Sequence, residues 1–257
     1  MLKIKNLSLS IDKKEILKDI SLEFLPNSQT TILGPNGSGK SSLIKCIIGI
    51  NDTWSGSIEL NGVDIRELTY LERAKIISYV PQFLEVHANY SVWDFMEMSY
   101  YPHLEDMRTL NDFEIEKADS ILNDFNLLDF KHRSLLSLSG GERQRVFIAA
   151  SIFQSPKILL LDEPTSFLDP KIQDEINKII FSLEKRMSVV LVSHDINSSI
   201  LNSKRIIALK KGERFYDGSA VEFISKKYLD ELFEKSFTLV NHPEEKMKMI
   251  VPEIYKS

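Results

Sequence analysis

The sequence predicts an α/β protein, with a mostly parallel sheet covered by helices, an N-terminal antiparallel β portion and an inserted helical lobe. Three observations point there. Short alternating strands fill the first forty residues, a helical and aromatic stretch without strand pattern runs from about Val92 to Asp129, and continuous apolar runs alternate with helical stripes thereafter. At 257 residues the chain can bury one large domain, or a domain carrying a small inserted lobe.

Taken in order, Leu2 and Ile4, then Leu7, Leu9 and Ile11, alternate with polar neighbours and change phase near Asn6. Ile20, Leu22 and Phe24 repeat that period before the Pro26-Asn27-Ser28 turn, and Thr30 to Leu33 is a short apolar strand stopped by a glycine loop. Leu43, Ile44, Ile47 and Ile48 mark a helix ended by Gly49, and Asn61-Gly62 signals a hairpin between Ser57–Leu60 and Val63–Ile65. Ile76 to Val80 is a strand closed by Pro81. Beyond the lobe, Ile158 to Leu161, Val189 to Val192 and Ile206 to Leu209 suit strands buried on both faces. Between the first two, Ile172, Ile176, Ile179, Ile180 and Leu183 form a helical stripe, an alternation that argues for a parallel sheet. Gly212 and Asp217-Gly218 punctuate the end of the sheet, and a helical tail follows.

The net charge of −5 lacks the basic balance of nucleic-acid-binding domains, so no nucleic-acid partner is expected. Cys46 is the only cysteine, so no intrachain disulfide forms, and among Ile44, Ile47 and Ile48 it reads as an inert core thiol. Met1 to Lys5 lead straight into strand pattern without an apolar signal core, and no stretch approaches the ~18 apolar residues of a membrane span. Service to a membrane would run through another chain.

Gly34-Pro35-Asn36-Gly37-Ser38-Gly39-Lys40-Ser41 matches the Walker A pattern between a predicted strand and a predicted helix. Glycines let backbone N–H groups converge on phosphates, and the helix points its positive end at them. Lys40 is expected on the β- and γ-phosphates, Ser41 on Mg²⁺ and Ser42 on the α-phosphate. A ligand-free glycine turn is the competing reading, and a full match at a strand-to-helix junction disfavours it. The chain is expected to bind a nucleoside triphosphate.

Asp162 and Glu163 end a buried strand, at the edge that faces the ligand crevice of an open α/β sheet. Asp162 is placed to hold Mg²⁺ directly or through water, and Glu163 to polarise the attacking water. His194, after the Val189–Ser193 strand, is placed for a γ-phosphate contact, and Gln82 occupies another strand end, where it could sense Mg²⁺ and water.

Leu138-Ser139-Gly140-Gly141-Glu142-Arg143-Gln144-Arg145 resembles the signature motif of ABC (ATP-binding cassette) ATPases. Tyr79-Val80-Pro81-Gln82 resembles their Q-loop, Ser166-Phe167-Leu168-Asp169 their D-loop and Ser193-His194-Asp195 their switch histidine, all in the family's order. The resemblance covers residues 2 to about 225. It implies a P-loop NTPase core as an ABC ATPase domain over 1–225, a helical signature subdomain inserted at about 88–150, and a helical or extended tail over 226–257. It also implies ATP and Mg²⁺ as ligands and a homodimer that closes on two ATP molecules. Ser139, Gly140 and Gly141 of one copy would meet the γ-phosphate held by the other, with Asp169 as a link across the dimer.

Ser99-Tyr100-Tyr101-Pro102-His103-Leu104 resembles a segment of the ATPases of ferric-siderophore, haem and cobalamin importers, where Gly-Arg-aromatic-Pro-His is usual; Ser99 and Tyr100 depart from it. Thr165 to Asp169 and the tail, with His242-Pro243 and Val251-Pro252, fit the same group loosely. An ordinary helix-breaking turn with surface aromatics is the alternative for the Tyr-Pro-His piece. The resemblance implies a cytoplasmic, membrane-peripheral importer subunit working with two integral-membrane permease subunits and an external substrate-binding protein. Phe83, Leu84, Val86 and Trp93 then read either as anchors for a permease helix or as core. An exporter cassette, or an ATPase of soluble assembly such as iron–sulfur cluster building, is the alternative function. About a hundred residues between Lys40 and Ser139 leave no room for the coiled coils of chromosome-maintenance ABC ATPases, and a single motif set excludes the two-cassette translation factors.

Ile11 stands where the family usually places an aromatic that stacks on adenine. Ile11→Tyr is expected to strengthen ATP binding by the about 1–3 kcal/mol of base–aromatic stacking and to raise preference for ATP over GTP. Nucleotide titration of the variant and the parent checks this, and no gain for ATP refutes it.

Overall fold

The structure, a computed structural model, describes residues 1–104, 108–166, 168–224, 226–243 and 248–251, with the side chains of 226 and 227 excepted. The chain runs β1 (Leu2–Ile11), β2 (Lys14–Phe24), β3 (Gln29–Leu33), α1 (Lys40–Ile47), β4 (Ser55–Leu60), β5 (Val63–Asp64), α2 (Tyr70–Ala74), β6 (Ile77–Val80), α3 (Val92–Ser99), α4 (Asp112–Asp124) and α5 (Gly140–Phe153). It continues with β7 (Ile158–Asp162), α6 (Pro170–Ser182), β8 (Ser188–Val192), α7 (Ile196–Asn202), β9 (Arg205–Lys210), β10 (Glu213–Ser219), α8 (Ala220–Phe223), α9 (Lys226–Phe233), β11 (Thr238–Asn241) and β12 (Lys248–Val251). Two compact units result: Met1–Glu67 with Val190–Ser257, and Leu68–Val189. Among the described residues no helix is long and apolar enough to cross a membrane.

The first unit holds an antiparallel sheet in the order β2-β1-β4-β5. Its phase change at Asn6 is a bulge with a physical cause. Asn6 and Asp19 both adopt left-handed backbone (φ 48° each), and their N–H groups donate to Ser21 Oγ and Ser8 Oγ, both at 2.9 Å. The inserted residue shifts the β1 pairing register between Ile4 and Leu7, so Leu2, Ile4, Leu7 and Leu9 all reach the buried face. Asn61 (φ 53°) and Gly62 (φ 87°) form the two-residue turn between β4 and β5, as their sequence predicts.

The same unit contains the strand order β10-β9-β3-β8, with β3 parallel to β9 and β10 antiparallel to it. The β9–β10 turn is Lys211-Gly212, with φ 51° and 84°. Asp217-Gly218, read as punctuation from sequence, instead lie inside β10 opposite Ile207 and Ile206. Gly218 is small for packing: a Cβ there would sit 2.6 Å from the Tyr216 hydroxyl. The tail holds both a helix and strands. Leu229 and Leu232 of α9 enter a buried cluster with Leu33, Ile206, Ala208 and Phe223, and β11 and β12 then pair antiparallel. Apolar residues on α9 need a core to cover them, so this part of the tail is built into the unit.

In the second unit β6 lies parallel to β7. Four helices here start on capping boxes (Thr69/Glu72, Ser91/Asp94, Asn111/Glu114 and Ser139/Glu142), each satisfying two otherwise orphaned N–H groups. The Tyr-Pro-His piece is a short 3₁₀ turn with Tyr101 exposed, anchored through Tyr100 before it and through His103. Tyr100 stacks on Phe153 of α5 at 4.7 Å between centroids, and the His103 ring meets the Gln154 carbonyl at 2.7 Å. Cys46, in the first unit, is fully buried, and desolvation pushes its thiol up to about 12.

Gly56 and Gly62 both sit at positive φ, but a Cβ on Gly56 would lie 2.4 Å from the carbonyl oxygens of Lys5 and Asn6, whereas one on Gly62 meets nothing within 4 Å. Gly62→Ala is therefore expected to cost about 1–2 kcal/mol for the left-handed backbone. Gly56→Ala should cost about 3 kcal/mol or more, because an overpacking term adds to the same strain. Urea unfolding reads both, and equal losses would contradict the bulge contact.

Candidate active site

In the first unit, β3 is buried at all five residues and runs into Gly34. At φ 151°, with a Cβ position only 2.3 Å from the Leu209 carbonyl oxygen, Gly34 admits no other residue without displacement. Gly39 (φ 103°) is the residue before α1, and a Cβ there would strike Leu17 Cδ2 at 2.7 Å. The loop is fastened by backbone: Ser38 N donates to the Pro35 carbonyl at 3.2 Å, and Gly212 N donates to the Ser38 carbonyl at 3.2 Å. Lys40 is buried, and its ammonium donates to the carbonyls of Gly34 (2.8 Å) and Pro35 (3.1 Å), which keep it inside the loop.

The start of α1 suits an anion. Its N-cap Gly39 provides no side-chain cap, no acidic residue occupies its first turn, and Ser41 and Ser42 lie half-buried there. The Ser38 hydroxyl is buried without a hydrogen-bond partner, a donor within the loop of the kind a phosphate oxygen would fill. Asn36 and Gly37 are exposed at the apex. At the end of β8, His194 is exposed, and Asp195 caps α7 by accepting from Ser198 N at 2.9 Å. Ile11 is 42% exposed at the end of β1.

In the second unit β7 is buried throughout, with Asp162 3% and Glu163 8% exposed at its end. Gln82 Nε2 donates to Glu163 Oε2 at 2.5 Å, and Ser166 Oγ donates to the same oxygen at 3.3 Å. Glu163 adopts a left-handed backbone (φ 52°), a strain of about 1 kcal/mol or more that the surrounding bonds must hold. Ser166 N donates to the Glu163 carbonyl at 3.1 Å, and Gln173 Nε2 donates to the carbonyls of Thr165 and Leu168, both at 3.0 Å. Burial, and then the Asp162 carboxylate, push the Tyr79 phenol up to about 12.

Asp169 caps α6, accepting from Ile172 N at 3.1 Å; Phe167, within the expected D-loop, lies outside the described residues, as does Pro252 of the tail. Ser139 Oγ accepts from Glu142 N at 3.3 Å, and Ser139 N donates to the Glu142 carboxylate at 2.8 Å. Hydrogen bonding from the Ser139 side chain, and then from its backbone N–H, holds the Glu142 carboxyl below its usual range. Ser139 and Gly140 are exposed, and a Cβ on Gly140 would meet nothing within 4 Å. Phe83 (66%) and Leu84 (39%) lie on the surface, while Val86 and Trp93 are half-buried, with Lys131 Nζ 3.9 Å over the Trp93 ring.

Of the expected site residues, the structure puts Gln82 and Glu163 in direct contact. Gln173, and Ser166 beyond its place in the D-loop, support Glu163 and the loop after it, a role the sequence assigns to neither. Neither residue type announces a loop-bracing role, and no sequence signal marks it. Ser41 in the first unit, and Gln82 and Asp162 in the second, each carry hard oxygen donors, the chemistry that suits Mg²⁺.

The family model described as ABC transporter matches residues 17–166. The iron(3+)-hydroxamate import ATP-binding protein of Bacillus subtilis is 31% identical over 244 residues, covering 94% of this chain and 91% of that protein. A chain of an ABC transporter assigned to the metal-chelate type, in an inward-facing conformation, aligns with a TM-score of 0.84 at 27% identity, covering 99% of this chain and 98% of that one. An ATP-binding cassette in a post-hydrolysis dimer bound to ADP and Pi aligns with a TM-score of 0.74 at 27% identity, covering 86% of this chain and 99% of that one. A glycine loop holding its lysine, a buried acid in contact with a glutamine, and this chain-long likeness have one meaning: the chain belongs to the ABC transporter family and is one of its ATP-hydrolysing, ATP-binding subunits.

Proposed function

We propose that this chain powers the import of a metal chelate of the iron-siderophore, haem or cobalamin type, as the ATPase subunit of an ABC importer. The observation that carries the reading is likeness over nearly the whole chain to an iron(3+)-hydroxamate import subunit, supported by likeness to a metal-chelate type transporter. Two copies would work with two integral-membrane permease subunits and an external substrate-binding protein, on the cytoplasmic face of the membrane. The exposed pair Phe83 and Leu84 would seat a short permease helix, because apolar groups that water surrounds gain most from a partner.

For the chemistry, Lys40 exchanges the carbonyls of Gly34 and Pro35 for β- and γ-phosphate oxygens, while the loop N–H groups of Asn36 to Ser42 surround the phosphates. Ser41, Asp162 and the carbonyl oxygen of Gln82 would hold Mg²⁺, which would supply charge neutralisation when bound. The Gln82 amide nitrogen is already given to Glu163, so its oxygen is the end left for the metal. Glu163 takes the proton of the attacking water, and His194 contacts the γ-phosphate. Ser139, Gly140 and Gly141 of the second copy add helix N–H donors to that phosphate, and Asp169 links the copies beside the water. Hydrolysis removes the γ-phosphate that joins the two halves and lets them part.

Glu163→Gln is expected to keep ATP binding, lower kcat by about 100-fold or more, and hold the dimer closed. Size-exclusion chromatography with ATP and Mg²⁺ should show a dimer that the nucleotide-free protein lacks; an active or monomeric variant contradicts the role. Replacing Phe83 and Leu84 together by Asp should abolish co-purification with an integral-membrane permease and leave ATP affinity unchanged. Retained co-purification, or recovery of the parent protein with soluble assembly partners only, counts against the importer.

A further inference from the structure

The segment from Ser193 to Ser199 is stitched at nearly every residue. Ser193 N donates to the Ile32 carbonyl at 3.3 Å, Asp195 N to Ser193 Oγ at 3.1 Å, and Ser199 Oγ to the Asp195 carbonyl at 2.6 Å. Asn197, in the first turn of α7, does something different. Its Nδ2 donates to the Ile250 carbonyl at 2.9 Å, and its Oδ1 accepts from Ile250 N at 2.8 Å. One side-chain amide thus pairs with both polar groups of a β12 residue, as a neighbouring strand would. The two bonds are partly shielded from water and bridge 53 residues of chain.

Packing reinforces the link. Ile196, Phe237, Leu239 and Ile250 lie against the buried cluster that includes Leu33, Ile200 and Leu229. A cavity of about 290 Å³ remains between the two segments, lined among others by His194, Asn197, Lys235, Phe237 and Ile250. The C-terminal hairpin of β11 and β12 therefore holds the first turn of α7, which follows directly on the loop that presents His194, three residues before Asn197, at the open end of β8.

We infer that Asn197 is a positioning residue for hydrolysis: it ties the C-terminal hairpin to α7 and so fixes the loop from which His194 acts. The inference rests on the γ-phosphate role of His194 proposed above. Asn197 reaches the chemistry only through that loop, so nucleotide affinity, set by the phosphate loop, should not depend on it. Misplacement of a catalytic group by about 1 Å can cost up to roughly 100-fold in rate, which makes a single lost clamp measurable.

The test uses the full chain with ATP and Mg²⁺. Asn197→Ala is expected to lower kcat about tenfold or more, with KM for ATP within about twofold of the parent and a cooperative unfolding transition retained. Hydrogen exchange at the Ile250 amide should accelerate, which shows that the clamp has opened. Asn197→Asp, which keeps an acceptor for that amide but sets a carboxylate oxygen against the Ile250 carbonyl, should lose at least as much. In a His194→Ala background, Asn197→Ala should cause no further loss, because the two residues act through one step. Unchanged kcat with accelerated exchange at Ile250 overturns the inference, and so does an undiminished loss in the His194→Ala background. A His194→Ala protein with full kcat overturns the histidine's role and takes the inference with it; an impaired His194→Ala beside a fully active Asn197→Ala overturns the positioning role alone.

Discussion

The contact between Gln82 and Glu163 depends on the register of two strands. Val80 of β6 pairs with Leu161 of β7, and each functional residue stands two positions beyond its member of that pair. The parallel ladder therefore delivers an amide and a carboxylate to the same level at the same sheet edge, 2.5 Å apart. A slip of one residue would move one of them by about 3.3 Å along the strand and turn every side chain of that strand to the opposite face. Burial at every residue of β7 guards against such a slip, since none of its apolar residues has a wet face to turn to. The same logic places Gly34 at the end of β3 and His194 beyond β8. Strands buried on both faces can present chemistry only where they run out.

Three helix starts show how the chain separates holding itself together from holding a ligand. α5 begins on the reciprocal Ser139–Glu142 box, and α6 begins on the Asp169 carboxylate. Each therefore has part of its terminal N–H demand met by its own side chains. α1 begins on Gly39 with no side-chain cap, and its first-turn serines and the partnerless Ser38 hydroxyl face the same task. Helix start α1 is thus the one of the three without a side-chain cap of its own. Lys40, resting on two loop carbonyls, keeps its charge solvated by protein until a stronger acceptor arrives.

Strain at the acidic end follows from the same economy of position. Glu163 must leave β7 sharply, and its left-handed backbone accomplishes that turn. Ser166 and Gln173 then hold the following loop by its carbonyls and by the Glu163 carboxylate itself. A carboxylate placed on a loop braced in this way keeps its orientation without a rigid element of its own.

Much of this was legible in the sequence because the signals are local. The Gly34–Ser41 loop, the Asn61-Gly62 turn, the apolar runs of β7 and β8 and the Ser139 helix start each declare themselves within a few residues, through backbone conformation, periodicity or capping. The departures occur where distant segments decide. Gly218 resembles a turn signal but is small because Tyr216 packs over it, and the division of the helical or extended tail into α9 and the β11–β12 pair is set by what each part packs on. Glu163 meets Gln82 across 81 residues, and Asn197 meets Ile250 across 53. The sequence by itself determined which groups this protein carries, because glycine, lysine and carboxylate chemistry is written residue by residue. Only the tertiary structure decided which of them touch, because strand register and the packing of apolar faces are settled between segments far apart in the chain.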